Sequence, residues 1–290
     1  METNQEVFQK SKETIKKLKN SSINDSEIYE LLIDANGFLD YTDLIINFDE
    51  KIKNKALYIR NLNKLIAGEP IQYILKKAQF IDLDISINHN VLIPRPETEG
   101  LALFIKEYIK KYKLNHEVIG DVCTGSGCIA LYLKEQFKDS TVFASDKYED
   151  PLLIAKYNKE KLGIDINLLK GSRLQPYEEN KIKLDVLASN PPYVENIKEI
   201  DENVLRYEPI NAIYSLDGLH FYDSYFRHYK NVTNEKFFMA FEINYNQKEK
   251  LTHLINKYFD ENIQYIFKKD IYGKDRYLFI FGGYKIENLE

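Results

Sequence analysis

The sequence has no tryptophan and only two cysteines. Cys123 and Cys128 stand five residues apart, which is neither a CxxC redox pair nor half of a zinc site. His89, His116, His220, His228 and His253 show no metal-ligand spacing, so no structural metal is expected. Long apolar runs are missing too: no stretch approaches the ~18 residues of a membrane span. The first twenty residues lack the apolar core of a signal peptide, and they hold acids and no arginine, unlike a transit peptide. These absences predict a reduced, cytoplasmic protein with no membrane partner. A basic surplus is also absent. Lys and Arg number 40 against 45 Asp and Glu, a net charge of −5. A dedicated nucleic-acid binder usually carries the opposite excess, so no stable nucleic-acid partner is expected.

What is present suffices for a folded enzyme. The 290 residues suit one large domain or two, and 44% hydrophobic content supplies a core. Residues 1–76 read helical. "IYELLIDANGFLD" puts Ile28, Leu31, Leu32 and Ala35 on one face, with Gly37 placed to end the helix. "NKALYIRNLNKLIAG" repeats the pattern with Ala56, Ile59, Leu62 and Ile66, closed by Gly68. Residues 77–97 read as a hairpin linker: Phe80, Leu83, Ile85 and Ile87 alternate with polar residues, and Pro94 and Pro96 should break any regular element. From 98 to 290 strands alternate with helices, which predicts a mostly parallel sheet covered on both faces. Asp150 and Pro151 resemble an N-cap and first helical residue. Residues 195–235 are expected to be loops and one helix.

"DVCTGSGCIA" runs from a strand into a helix. Gly125 and Gly127 allow a tight turn and close approach to a ligand. Asp146 ends the next strand, where a carboxylate can accept from both ribose hydroxyls. The pattern suits a nucleoside cofactor. Gly125, Gly127 and Ala130 fit the dinucleotide fingerprint as well, so the loop leaves a dinucleotide and S-adenosylmethionine both open.

"LDVLASNPPYVEN" narrows the choice. A strand ends on Asn190, followed by Pro191, Pro192 and Tyr193. Asn190 offers a side-chain carbonyl, the prolines offer carbonyls with no competing N–H, and Tyr193 offers a flat ring. Together they can grip a planar –NH2 group. Two accepting carbonyls draw density toward its nitrogen and aim the lone pair at an electrophilic methyl, with alignment supplying much of the rate. Hydride transfer has no use for such a grip, so a methyltransferase is favoured over a dehydrogenase. The motif alone also permits an exocyclic amine of a DNA or RNA base, such as that of adenine, and a binding module that kept the fold without catalysis is a further alternative.

Over nearly its whole length the chain resembles the HemK/PrmC family, glutamine methyltransferases that act on peptide-chain release factors. The resemblance rests on "GEPIQYIL" (68–75), "VLIPRPETE" (91–99), "DVCTGSGCIAL", "SNPPYV", "YEP" (207–209), "FEINYNQ" (241–247) and "KDIYGKDR" (269–276), in the family's order and spacing. "PRPETE" is the marker that separates it from the sister enzymes acting on a ribosomal-protein glutamine. The resemblance implies a small N-terminal all-α domain that docks the release factor, a β-hairpin linker, and a Rossmann-like, seven-stranded class I methyltransferase sheet. It implies S-adenosylmethionine as cofactor and the glutamine of a Gly-Gly-Gln loop as target. By carry-over, Cys123, Thr124, Gly125, Ser126, Gly127, Asp146 and Asn190 line the cofactor, Arg173 falls where an aromatic can cover adenine, and Asn190, Pro191, Pro192 and Tyr193 hold the amide. A monomer is expected. Cys123 stands where the family usually has glycine. Arg95 and Glu97 can close over the site or pair within the linker; Glu208 and Pro209 can border the substrate channel or form a turn.

Overall fold

The computed structural model describes residues 2–18 and 23–289. The chain divides into two compact units, Met1–Lys77 and Ala78–Glu290.

The first unit holds α1 (Asn4–Lys16), α2 (Asp25–Asn36), α3 (Tyr41–Ile46), α4 (Lys55–Ile66) and α5 (Ile71–Leu75); the helical reading of 1–76 also ran through residues 19–22, which lie outside the described residues. Capping boxes at Thr3 and Asn24 start α1 and α2, satisfying N–H groups that a helix start leaves free. Gly37 ends α2 at φ 65°, the left-handed conformation that glycine adopts without strain. Ile28, Leu31, Leu32 and Ala35 are all buried. The face expected of α4 is corrected. Its buried residues are Tyr58, Asn61 and Leu65, while Ile59 is 45% exposed. The amphipathic tyrosine wins the interior because its hydroxyl meets Ser11 Oγ at 2.7 Å.

The second unit begins within β1 (Lys77–Phe80), which forms a two-stranded sheet with β2 (Leu83–Ser86), and Phe80, Leu83, Ile85 and Ile87 are buried. α6 (Pro96–Tyr112) follows. Pro96 therefore opens a helix where a break was expected, because the first helical position needs no N–H. Next come β3 (Val118–Val122), α7 (Cys128–Gln136), β4 (Thr141–Asp146), α8 (Glu149–Leu162), β5 (Asn167–Lys170), α9 (Gln175–Glu179) and β6 (Leu184–Ser189). The chain continues through α10 (Glu202–Tyr207), α11 (His220–Val232), β7 (Thr233–Glu242), α12 (Lys248–Tyr258), β8 (Ile263–Lys269) and β9 (Asp275–Gly282). The 195–235 stretch thus carries two α-helices, not one. α8 is capped at Tyr148, two residues before the expected Asp150, with Pro151 inside its first turn.

The seven-stranded sheet has the order β5-β4-β3-β6-β7-β9-β8. The first five strands are parallel, and β9 pairs antiparallel with both β7 and β8. Every residue of β6 is buried, as expected of a strand covered on both faces. β7 divides the core by strand alternation: Phe238 meets Tyr108 of α6, while Phe241 packs on Tyr222 and Tyr225 of α11. α6 and α11 therefore cover opposite faces.

Candidate active site

β3 and β6 lie side by side, but the chain leaves them in opposite directions: β3 leads toward β4 and β5, and β6 leads toward β7. Such a reversal opens a crevice at the carboxyl ends of the strands. Ser189 Oγ donates to the Val122 carbonyl at 2.6 Å and pins the two strand ends together. A cavity of about 340 Å3 lies here, lined among others by Val91, Thr98, Gly125, Asp146, Asn190 and Phe221. Its size is that of a small-molecule site.

The loop after β3 turns through three left-handed residues, Cys123 (φ 63°), Gly125 (φ 55°) and Gly127 (φ 85°). A Cβ on Gly127 would stand 3.1 Å from that of Ala155. Cys123 carries a side chain in a conformation that costs a non-glycine residue about 1–2 kcal/mol. Its Sγ lies 3.6 Å from the Tyr225 hydroxyl, and burial pushes the thiol up to about 12, so it stays neutral. Asp121, fully buried at the end of β3, braces the loop. Its Oδ2 accepts from Thr124 Oγ1 at 2.5 Å and from the Ala130 N–H at 3.3 Å, and Oδ1 has no partner. Burial raises this carboxyl to about 7. Asn158 of α8 braces the loop from outside: its Nδ2 donates to the carbonyls of Ser126 and Ser86, and its Oδ1 accepts from the Ser86 N–H. The hairpin and the glycine loop are thereby tied together.

Asp146 ends β4 with both oxygens engaged. Oδ2 accepts from the Gly125 N–H and Oδ1 from the Tyr148 N–H, each at 3.1 Å. Burial raises this carboxyl, and the N–H groups of Tyr148 and Gly125 pull it back. Held from two sides, the carboxylate stands at the rim with its remaining lone pairs available for a diol.

Asn190 follows β6. Its Nδ2 donates to Thr98 Oγ1 at 2.9 Å, and Thr98 Oγ1 donates to Glu242 Oε2 at 2.7 Å. The Tyr193 hydroxyl donates to the other oxygen, Glu242 Oε1, at 2.8 Å. Glu242 is buried at the end of β7. Burial raises its carboxyl, while Thr98, Tyr193 and the Arg276 charge act in the other direction.

The chain is similar to known proteins. Residues 99–207 match the family model described as the methyltransferase small domain. A release factor glutamine methyltransferase of Flavobacterium psychrophilum is 37% identical over 255 residues, covering 86% of this chain and 88% of the relative. One from Bacillus subtilis is 34% identical over 257 residues, covering 85% and 88%. The chain belongs to the release factor glutamine methyltransferase family. A crystal structure of a methyltransferase from Pyrococcus furiosus, 18% identical, aligns over 79% of this chain and 96% of that one with a TM-score of 0.50, a likeness of fold.

For this member of the release factor glutamine methyltransferase family, the crevice gathers most of the residues singled out from sequence. Cys123, Thr124, Gly125, Ser126, Asp146, Arg173, Asn190 and Pro192 line it. Gly127 packs on α8 behind the loop, Pro191 is buried, and Tyr193 turns its hydroxyl inward to Glu242. Arg173 (φ 54°) lays its guanidinium 5.7 Å from the Phe221 ring centroid and reaches Ser224 and His220, so α11 holds it. Arg95 pairs with Glu208, whose other oxygen accepts from the Ile93 N–H at 3.2 Å. The linker and the "YEP" turn are thus joined to each other. Among the described residues no group of three or more His, Cys, Asp or Glu side chains converges on a possible metal site, and no helix is long and apolar enough to cross a membrane. Sequence reasoning missed Asp121, Asn158, Thr98 and Glu242. Three of them lay inside quoted motifs, as the first letter of "DVCTGSG", the threonine of "PRPETE" and the glutamate of "FEINYNQ". Asn158 had no local signal.

Proposed function

We propose that this chain transfers a methyl group from S-adenosylmethionine to the side-chain amide nitrogen of the glutamine in the Gly-Gly-Gln loop of peptide-chain release factors, giving N5-methylglutamine. The observation that carries this reading is the meeting, in one crevice, of the glycine loop, the braced Asp146 and Asn190. The residues fit the cofactor. Asp146 has capacity for ribose hydroxyls, and the glycine loop leaves room above Gly125, where nothing stands within 4 Å of an added Cβ. Bound there, the cofactor supplies a sulfonium methyl, the carbon–sulfur electron pair returning to sulfur as the carbon–nitrogen bond forms.

The chain's own residues handle the amide. Asn190 Oδ1 accepts one N–H of the glutamine, and a proline carbonyl accepts the other. Both gain strength as positive charge develops on the nitrogen, where preorganised acceptors contribute a few kcal/mol. The nitrogen then loses a proton to water. The first unit, Met1–Lys77, would dock the release factor, and the hairpin linker would join it to the catalytic unit.

A methyl-transfer assay with labelled S-adenosylmethionine tests the reading. It offers an intact release factor, the same factor with its Gly-Gly-Gln glutamine replaced, and duplex DNA. Label on the intact factor alone is expected. Label on DNA would instead assign the chemistry to a base amine. In the same assay Asn190→Ala should lose transfer by at least about 100-fold while keeping cofactor affinity, since it removes an acceptor used by the reacting nitrogen.

A further inference from the structure

An asparagine amide has two ends of nearly equal shape and opposite function, one accepting and one donating. Only the carbonyl end can receive an incoming glutamine N–H; the –NH2 end would set donor against donor. Something must choose which end faces the cavity.

The neighbours of Asn190 make the choice by hydrogen-bond arithmetic. Glu242 is the acceptor for both of its neighbours: Thr98 Oγ1 donates to Oε2 at 2.7 Å and the Tyr193 hydroxyl donates to Oε1 at 2.8 Å. Thr98 Oγ1 has a single proton, and that proton is committed. Toward its other neighbour, 2.9 Å away, it can only accept. The atom of Asn190 facing Thr98 is then the nitrogen, and Oδ1 is left for the cavity that Asn190 lines. Thr98 sits in the first turn of α6, and Glu242 ends β7, so the chain of bonds links two rigid elements. The same carboxylate holds the Tyr193 hydroxyl, which fixes the ring two peptide bonds beyond Pro191.

We propose that Thr98 and Glu242 are positioning residues that set the direction of the chain Asn190→Thr98→Glu242 and thereby present the Asn190 carbonyl to the amide undergoing transfer. The proposal rests on the amide-transfer function above. It gives "PRPETE" and "FEINYNQ" a shared task that neither motif performs alone.

The test compares Thr98→Val, which keeps the shape and removes the hydroxyl, with Thr98→Ser, which keeps the hydroxyl. Thr98→Val should lower kcat by about 10- to 100-fold, with cofactor Kd changed by less than about twofold, since the loss falls on a bond that strengthens in the transition state. Thr98→Ser should restore most of that rate. A Thr98→Val enzyme as fast as wild type, or a Thr98→Ser enzyme as slow as Thr98→Val, overturns the proposal. Neutron diffraction from the wild-type protein asks the same question without substrate. Deuterons on the Asn190 atom facing Thr98 support the assignment, and an oxygen there overturns it, whether or not Thr98→Val folds. If the wild-type chain leaves release factor unlabelled, the functional reading fails while the neutron result still decides the orientation.

Discussion

Single residues in this enzyme work mainly by holding other groups still. Asp121 touches no bulk water, yet it bridges Thr124 and the first turn of α7. Its folded carboxyl, at about 7, binds a proton more tightly than the ordinary value of 3.8. Between those values the folded state carries more protons than the unfolded one, so stability falls as pH rises. This contribution is complete below about pH 4 and is lost as pH climbs through 7. Asp121→Asn removes the titration. The stability of wild type relative to the variant should therefore drop by about 2–3 kcal/mol between pH 5 and pH 8, from ~1.4 kcal/mol per unit over the titrating range. Denaturant titrations of both proteins at the two pH values check this; a difference that stays constant would refute it. Cys123 shows the converse case, a residue the fold tolerates at some strain. Its left-handed φ is the physical reason glycine suits that position.

At the scale of elements, local chemistry and tertiary demand sometimes disagree. α1 and α2 start where their capping residues say, and α2 stops at Gly37. α8 starts earlier than its own sequence suggests, because the Asp146 carboxylate takes the Tyr148 N–H from outside the helix. The helices of the first unit are also joined by a buried amide pair. Asn36 Nδ2 donates to Asn4 Oδ1 at 2.8 Å and to the Leu32 carbonyl at 2.7 Å, and its Oδ1 accepts from the Lys53 N–H at 2.9 Å. Asn4 Nδ2 continues to the Asn47 carbonyl. Asn36→Ala strands Asn4 Oδ1 in the interior and removes the partner of the part-buried Lys53 N–H, so it should cost about 1–3 kcal/mol, the penalty for one buried group left unpaired. Urea unfolding measures it. A loss under about 1 kcal/mol would mean that water replaces the lost partner.

At the scale of the whole molecule, the crevice belongs to one of the two units. Every residue lining the crevice lies between Asn90 and Phe221, inside the second unit. A chain beginning at Lys77, which keeps β1 complete, should bind S-adenosylmethionine with an affinity within about threefold of the full protein, because each contact group and its braces remain. Its transfer to a release factor should fall sharply if the first unit supplies docking. Calorimetry and the labelled-transfer assay read the two effects separately. Collapse of cofactor binding would show that the first unit supports the crevice itself.

Much of this was legible before folding, and for a definite reason. The glycine loop, Asp146 and the Asn-Pro-Pro-Tyr run each stand out within a few residues of sequence, and alternation with helical periods marks strands and helices by local rules. The parallel sheet follows from strands separated by helices, since such strands need a crossover. Other facts were decided only by the third dimension. Ile59 faces solvent because Tyr58 reaches Ser11, and Asn158 acquires its task only when α8 lies against a hairpin 72 residues earlier. Arg173 is claimed by α11 from 51 residues away. The direction of the Asn190 amide depends on Thr98 and Glu242, which lie 92 residues upstream and well downstream of it respectively. A hydrogen bond's direction is set by which proton is already committed, and that commitment exists only once distant segments meet.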